Sequence, residues 1–148
     1  MEAVAKGLAG VVVEQTEISD VRAEGRLIYR GRSIESLVDL PFFNVAGLVV
    51  DGDLNDHLQV LLGTSRNLDA RETDFVLTAP KDTHPMQLLQ SIVPLLSRGA
   101  DIGYGDANQG LHVAAKLPAV VATFLRGSLV TIDERASYAE GFLSAIGN

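Results

Sequence analysis

The hydrophobic pattern of the first part of the chain is typical of short strands. The apolar runs are Val11–Val13 and Leu27–Tyr29. Turn-forming pairs lie between them at Ser19–Asp20 and Glu24–Gly25. Two isolated strands are only marginally stable in water, so this region has to pack on another part of the protein. The pattern therefore predicts a small β-hairpin or β-arm over residues 1–32.

From residue 33 onward, apolar residues recur at the spacing of a helix face, so residues 33–148 are predicted to be helical. The first expected helices are a short one from Ser33 to Leu37, one over Phe43–Val50 that Gly52 stops, and one over Leu54–Leu62. A further segment runs from Asp69 to Leu77 and begins with an Asp69–Glu72 capping box. The next helix is capped by Thr83 and has Pro85 in its first turn. Pro94 is expected to kink or end the last of these near Val93, because proline removes a backbone donor and clashes with the preceding turn.

The most apolar predicted helix covers about residues 107–125, after a loop rich in Gly and Asp over Ser97–Gly110. Its apolar residues lie on all of its faces, and such a helix is buried on more than one side. In a chain of this size we expect that burial to need a partner or a further domain. Thr131 and Glu134 have the spacing of a capping box for the last helix, and Gly147 is placed to end it.

Composition narrows the class of protein. The 148 residues suit one domain, and 47% are hydrophobic and 21% charged, as in an ordinary globular protein. Because the chain has 12 basic and 19 acidic residues, its net charge is −7, which argues against nucleic-acid binding. The absence of Cys excludes disulfides and Cys-ligated zinc, and with three His a metal site is not expected. No leader peptide or membrane span is predicted, which indicates a cytoplasmic protein.

The three histidines do not form a convincing constellation. His84 has Asp82 and Ser91 near it in sequence, but nothing around it resembles a nucleophile elbow. We interpret His84 as a helix-start residue with a structural hydrogen bond and His57 as a solvated residue. His112, on the apolar helix, is interpreted as a core or interface histidine whose hydrogen bonds are satisfied.

Other candidate features are equally weak. Gly103, Gly105 and Gly110 lack the spacing and the preceding strand of a dinucleotide-binding loop. Asp101 and Asp106 lack the spacing of a calcium loop. Asp51 and Asp53 flank Gly52 as helix-end residues, and a basic cluster of Arg26, Arg30 and Arg32 is expected to pair with acids of the same chain. Residue chemistry therefore predicts no catalytic residue, no cofactor-binding residue and no metal ligand.

The order of several segments nevertheless resembles citrate synthases and 2-methylcitrate synthases along essentially the whole chain. The segments that carry this resemblance are Gly7–Val13, Leu27–Gly31, Val45–Leu54, Asp82–Met86, Ala114–Ala122 and Tyr138–Leu143. The sequence departs from the family's pattern at Asn55, where proline is usual, at Gly141, where asparagine is usual, at Ser144–Ala145, and at Pro94. The resemblance implies a mainly α fold, with residues 1–148 as the N-terminal part of the family's large domain.

The resemblance also implies what this stretch does not carry. In the family, condensation of an acyl-CoA with a 2-oxo acid uses two histidines and an aspartate in later segments of the H-G-G-A-N and G-H-R type. None of those segments occurs here, so no catalytic residue is carried over and this chain alone is expected to be inactive. The family's helices that match residues 84–96 and 107–125 contribute to a dimer interface, which implies a homodimer or a hetero-oligomer.

Two hypotheses remain open, beside a third possibility that this sequence is a truncated part of a longer enzyme. In the first, this chain is a subunit or partner in a citrate or 2-methylcitrate synthase-type reaction, and acyl-CoA and 2-oxo acid bind only when another chain completes the site. In the second, it is a non-catalytic module that binds a protein or a metabolite. Neither hypothesis involves a nucleic acid or a membrane.

Overall fold

The computed structural model describes residues 16–97 and 106–147, and the side chains of residues 106–108 lie outside this description. Within these residues the elements are β1 (Ser19–Val21), β2 (Leu27–Tyr29), β3 (Arg32–Ser33), a 3-10 turn (Ile34–Ser36), α1 (Phe42–Asp51), α2 (His57–Thr64), α3 (Ala70–Thr78), α4 (Pro85–Leu96), α5 (Asp106–Arg126) and α6 (Tyr138–Ile146). The predicted fold class, mainly α with a small N-terminal β element, is confirmed. The strand expected at Val11–Val13 lies outside the described residues.

The β element is an antiparallel sheet in the order β1-β2-β3. Arg30 and Gly31 connect β2 to β3 with φ values of 47° and 77°. Two consecutive residues with positive φ are typical of a tight hairpin turn whose twist matches that of the strands. The hydrophobic pattern did not indicate β3, and the turn predicted at Ser19–Asp20 is wrong because both residues pair with β2, Ser19 opposite Tyr29. Cross-strand pairing here outweighs the local turn preference of Ser and Asp.

Arg30 attaches this sheet to the helices. Its guanidinium donates to the carbonyl oxygen of Val49 from Nε at 3.3 Å and from Nη2 at 3.2 Å. Val49 lies in the last turn of α1, where carbonyl groups lack helical donors. The sheet is therefore anchored by a charged donor at a helix C-terminus, which is a favourable place for a cation.

The ends of the first helices follow local chemistry. Gly52 ends α1 with a left-handed φ of 93°, as predicted. Ser33 precedes the 3-10 turn without a side-chain capping bond, so its capping role is not confirmed. The helix expected from Leu54 begins only at His57, because the side-chain oxygen of Asn55 accepts the His57 backbone N–H at 3.0 Å. That bond stabilises a turn before the helix.

The capping box of α3 is confirmed, with the Glu72 backbone N–H 2.8 Å from Asp69 Oδ1 and the Asp69 N–H 2.8 Å from Glu72 Oε2.

The N-cap of α4 is His84 rather than Thr83. Pro94 does not end α4, which continues to Leu96. Pro94 lies on the exposed side of the helix, where water can hydrogen-bond to the carbonyl that proline leaves without a donor. Leu96 is fully buried and holds the last turn in place.

Helix α5 is the centre of the described fold. It runs across Pro118 and packs against α1, α2, α3, α4 and α6. Two clusters of buried side chains lie around it, and each contains residues of α5: Ala119, Val120, Ala122 and Phe124 in the first, and Leu111 and Ala115 in the second. The expectation that this helix needs another chain to cover it is therefore corrected, because helices of the same chain bury it.

The last helix begins later than predicted. The capping box of α6 is Ser137 with Glu140, not Thr131 with Glu134. The connector between α5 and α6 is instead held in place by Asn67, whose Oδ1 accepts the Ile132 N–H at 2.8 Å and whose Nδ2 donates to the Ile132 carbonyl at 3.2 Å. Because this pairing joins residues far apart in sequence, no local signal indicates it. Gly147 ends α6, as predicted.

The connector also passes very close to α2. A Cβ atom built at Gly63 would lie 2.6 Å from the backbone oxygen of Glu134, whereas a Cβ at Gly110 of α5 would have no neighbour within 4 Å among the described residues. Only a glycine fits at the first position without backbone movement. The second position is an exposed helical site, where glycine is a poor helix former.

These two glycines provide a matched test of the packing. We expect Gly63→Ala to lower the free energy of unfolding by about 1–3 kcal/mol through overpacking. Gly110→Ala should raise it by about 1 kcal/mol, because alanine loses less backbone entropy in a helix. Urea unfolding followed by circular dichroism measures both values. Equal effects of the two substitutions would contradict the close approach of α2 and the connector.

Candidate functional site

A buried ion pair joins α3 to α5. The Lys116 ammonium lies 2.6 Å from Glu72 Oε1 and 2.7 Å from Oε2, and the two side chains are 8% and 3% exposed. Glu72 Oε2 also accepts the Asp69 backbone N–H at the start of α3. One carboxylate therefore satisfies both a helix N-terminus and a buried cation. Removing either partner would leave an uncompensated buried charge.

His112 lies one turn before Lys116 on α5 and is only 5% exposed. Neither ring nitrogen has a hydrogen-bond partner among the described residues. The prediction of a core histidine is confirmed, but its expected hydrogen bonds are not present in the described part of the chain. Burial lowers the pKa of His112, the positive charge of Lys116 lowers it further, and Glu72 acts in the opposite direction. The imidazole is therefore held neutral within the helical core.

Arg66 is a second buried cation, 1% exposed, and it is not among the residues predicted from the sequence. Its Nη1 donates to the carbonyl oxygen of Ala136 at 2.6 Å and to that of Asp133 at 3.5 Å. The guanidinium carbon lies 5.4 Å from the ring centroid of Phe43, within the range of a cation–π contact. Arg66 thus stabilises the connector that leads into α6. An arginine in a polar segment carries no sequence signal of burial.

Three aromatic rings extend this cluster towards the surface. Phe42 stacks on Tyr138 with centroids 4.3 Å apart, and Phe43 meets both rings edge-on. Tyr138 donates its hydroxyl to the Ala114 carbonyl at 2.8 Å, and burial raises its pKa while Arg66 lowers it. An open groove of about 600 Å³ lies beside the rings, and its charged lining residues are Asp39, Arg135 and Glu140. With two acidic residues and one basic residue, this lining has no cluster of positive charge that would select an anion.

The other two histidines are exposed and lie at the starts of helices. His84 caps α4, where its Nδ1 accepts the Met86 N–H at 3.2 Å, so its predicted structural hydrogen bond is confirmed. Ser91 donates to the carbonyl of Gln87 rather than to His84, and no catalytic set forms there. His57 is exposed at the start of α2, as predicted. Each histidine therefore lies at the start of a different helix or inside the core.

The remaining candidates have structural roles or fall outside the described residues. Among the described residues, the predicted pairing of the basic cluster with acids is found at Arg30, whose Nη1 lies 4.0 Å from Glu17 Oε2. Asp51 is the last residue of α1, as expected for a helix end. The loop predicted to reach Gly110 is too long, because α5 begins at Asp106. The candidates that the structure does not describe are Asp101, Gly103 and Gly105.

The described residues contain neither a further metal site nor a membrane-spanning helix. Over residues 16–97 and 106–147, no three His, Asp or Glu side chains are grouped so that they could hold a metal ion. Within the same ranges, no helix has the length and apolar character needed to cross a membrane.

Comparison with known proteins identifies the fold. The family model described as "Citrate synthase, C-terminal domain" matches residues 7–148. The chain is 31% identical to a citrate synthase of Mycolicibacterium smegmatis, over 94% of this chain and 41% of that protein. It is 32% identical to 2-methylcitrate synthase 1 of Corynebacterium glutamicum, over 97% of this chain and 42% of that protein. The chain thus spans about two fifths of the length of these curated relatives.

Solved structures show the same fold. The citrate synthase of Thermotoga maritima aligns with a TM-score of 0.73 and 22% identity, covering 98% of this chain and 42% of that one. The citrate synthase of Pyrobaculum aerophilum aligns with a TM-score of 0.71 and 24% identity, covering 95% of this chain and 41% of that one. The resemblance seen in the sequence segments is confirmed.

The buried ion pair can be tested by removing its cation. We expect Lys116→Met to lower the free energy of unfolding by about 3–5 kcal/mol, because Glu72 is left buried without its partner. Adding Glu72→Gln should recover part of the loss, since the amide oxygen can still accept the Asp69 N–H. Chemical denaturation of the two variants measures the difference. A double variant that is less stable than the single one would contradict this role of the pair.

His112 predicts a pH dependence of stability. Its pKa is lowered by folding, so the unfolded chain binds the proton more readily, and stability should decrease as the pH falls below the ordinary value of 6.5. His112→Leu should remove this component, and the exposed His57→Gln should leave it unchanged. Thermal unfolding between pH 7.5 and pH 5.5 tests this. The same pH profile for wild type and His112→Leu would exclude His112 as its source.

Proposed function

Because the chain belongs to the citrate synthase family, we propose that it provides helical scaffold for the condensation of an acyl-CoA with a 2-oxo acid to give citrate or a homologue. The observation that carries this proposal is the family match over residues 7–148. The fold-level agreement with two solved citrate synthases supports it further. The chain would then be part of a transferase of the tricarboxylic acid cycle type.

We further propose that the reacting groups come from another polypeptide. Carbon–carbon bond formation requires a base that removes the α-proton of the acyl-CoA and a donor that stabilises the resulting enolate oxygen. The histidines described here have other environments: His84 caps α4, and His112 is enclosed in the core with a lowered pKa. His57 is exposed but has no acid or base in a described contact that would activate it. These environments support a scaffold role for this chain.

Self-association belongs to the same proposal. Of the two helices that the resemblance implicates in a dimer, α5 is buried within the chain, whereas α4 exposes Met86 and Val93 at 57% and 40%. These two residues are seven positions apart and share one helix face. We therefore propose a homodimer contact at α4. We also propose that the protein is cytoplasmic.

An activity measurement tests the scaffold proposal. We expect the purified chain to release no CoA above background from acetyl-CoA with oxaloacetate, or from propionyl-CoA with oxaloacetate. Co-expression with a polypeptide that carries the family's H-G-G-A-N and G-H-R segments should give CoA release, followed with a thiol reagent. Turnover by the chain alone would contradict the proposal, and an inactive complex would favour the non-catalytic module instead.

A further inference from the structure

A cavity of about 580 Å³ lies between the end of α5, the connector and the second half of α6. Its volume is within the range of pockets that bind small molecules. The polar side chains in its lining are Arg126, Ser128, Thr131, Asp133 and Ser144. They supply one guanidinium, three hydroxyls and one carboxylate. Because hydroxyls can both donate and accept hydrogen bonds, the charged groups decide which kind of ligand this cavity selects.

The wall that α6 contributes to the cavity differs from the family's pattern. Gly141, Ser144 and Ala145 line the cavity, and all three are positions at which the sequence departs from that pattern. None of them carries a side chain larger than a hydroxymethyl group, which limits how far α6 can fill the cavity. The cavity is therefore not a feature that the resemblance implies.

Arg126 is held in position on this cavity. Its Nε donates to the carbonyl oxygen of Ala145 at 3.2 Å, so one side of the guanidinium is fixed by the backbone of α6. Among the described residues, no acid forms an ion pair with Arg126. The terminal N–H groups of a guanidinium lie in a planar fork that matches two oxygens of a carboxylate or a phosphate. Arg126 is thus an oriented cation without a compensating charge.

Lys81 brings a second positive charge to the same part of the wall. A Cβ atom built at Gly127, which lies between the lining residues Arg126 and Ser128, would be 3.1 Å from Lys81 Nζ. Lys81 is an exposed residue between α3 and α4. Within the described part of the chain it has no ion pair with an acid. Two cations therefore lie beside one wall of the cavity in a chain whose net charge is −7.

The acid in the described lining, Asp133, already has partners. Its Oδ1 accepts the backbone N–H of Arg135 at 2.9 Å. Arg66 lies behind this wall, because its Nη1 donates to the carbonyl oxygens of Ala136 and Asp133. Burial lowers the pKa of Arg66, whereas the charges of Tyr138 and Asp133 raise it. The buried arginine thus balances the carboxylate of Asp133, and the charges of Arg126 and Lys81 remain available to an anion.

We propose that this cavity is a binding site for a small metabolite that carries a carboxylate or phosphate group. Arg126 would bind two oxygens of that group through its fork, and Lys81 would add a point charge. The hydroxyls of Ser128 and Ser144 can donate hydrogen bonds to the remaining oxygens. The site uses none of the groups that the condensation requires, so the proposal does not depend on the proposed function.

Isothermal titration calorimetry of the complete chain, with inorganic phosphate and separately with succinate at low ionic strength, tests the site. We expect saturable binding of at least one of the two anions. Arg126→Gln should weaken the affinity about tenfold or more, because it removes a charge-assisted bidentate contact. Lys81→Gln should weaken it about threefold, since an ammonium acts only as a point charge. Arg71→Gln, at an exposed α3 position outside the cavity, is the matched control for net charge and should leave the affinity unchanged.

Ser144→Leu provides a second variant, which narrows the cavity at an exposed position without removing a charge. It should abolish binding, while its melting temperature without anion stays close to that of the wild type. Saturating anion should raise the melting temperature of the wild type and of Arg71→Gln but not that of Ser144→Leu.

The two anions distinguish the sources of the recognised group. Tighter binding of phosphate assigns the site to a phosphate-bearing metabolite, and tighter binding of succinate assigns it to a carboxylate. The proposal is overturned if neither anion binds saturably, and the two cations then serve only to complement the C-terminal end of α5. Equal affinities of Arg126→Gln and Arg71→Gln would overturn it as well, because the bound anion would then lie outside this cavity.

Discussion

The burial of α5 on several sides is the constraint on which the described fold depends. Each of the other five helices packs against it, so their positions relative to one another are set largely through this one element. Most of this contact is made by the apolar side chains of α5. Lys116 adds a polar contact, in which the carboxylate of Glu72 has to balance its positive charge. A mismatched cation in this position would cost several kcal/mol, so the pair selects the register of α3 on α5. The sequence encodes this pair at a separation of 44 residues.

A second set of contacts holds the connector and α6 on this centre. Arg66 binds carbonyl oxygens of the connector, Asn67 pairs with Ile132, and Gly63 allows the backbone to approach. The departure from the family pattern at Gly141 has a local reason here, because any side chain at that position would meet Ile132, and its Cβ would lie 3.4 Å from Arg66 Nη1. Glycine at this position and the buried arginine are therefore parts of one packing arrangement.

Local sequence signals predict which helices form better than they predict where each helix begins and ends. The Asp69–Glu72 box and the stop at Gly52 depend on bonds within a few residues, so the sequence contains all of the information needed. The start of α6 was misplaced because Thr131–Glu134 satisfies the same local rule as the Ser137–Glu140 box, and only the long-range pairing of Asn67 with Ile132 decides between them. The burial of Arg66 and of the Lys116–Glu72 pair could not be predicted, since both depend on residues that are distant in sequence.

The distribution of polar chemistry in the described residues supports the proposed scaffold role. A catalytic group has to be held in place and also be accessible to a substrate. In this chain the two conditions are met by different residues: Glu72, Lys116 and His112 are fixed but enclosed, while His57 is accessible but held by no second side chain in a described contact. Packing within the described residues therefore accounts for the buried charges.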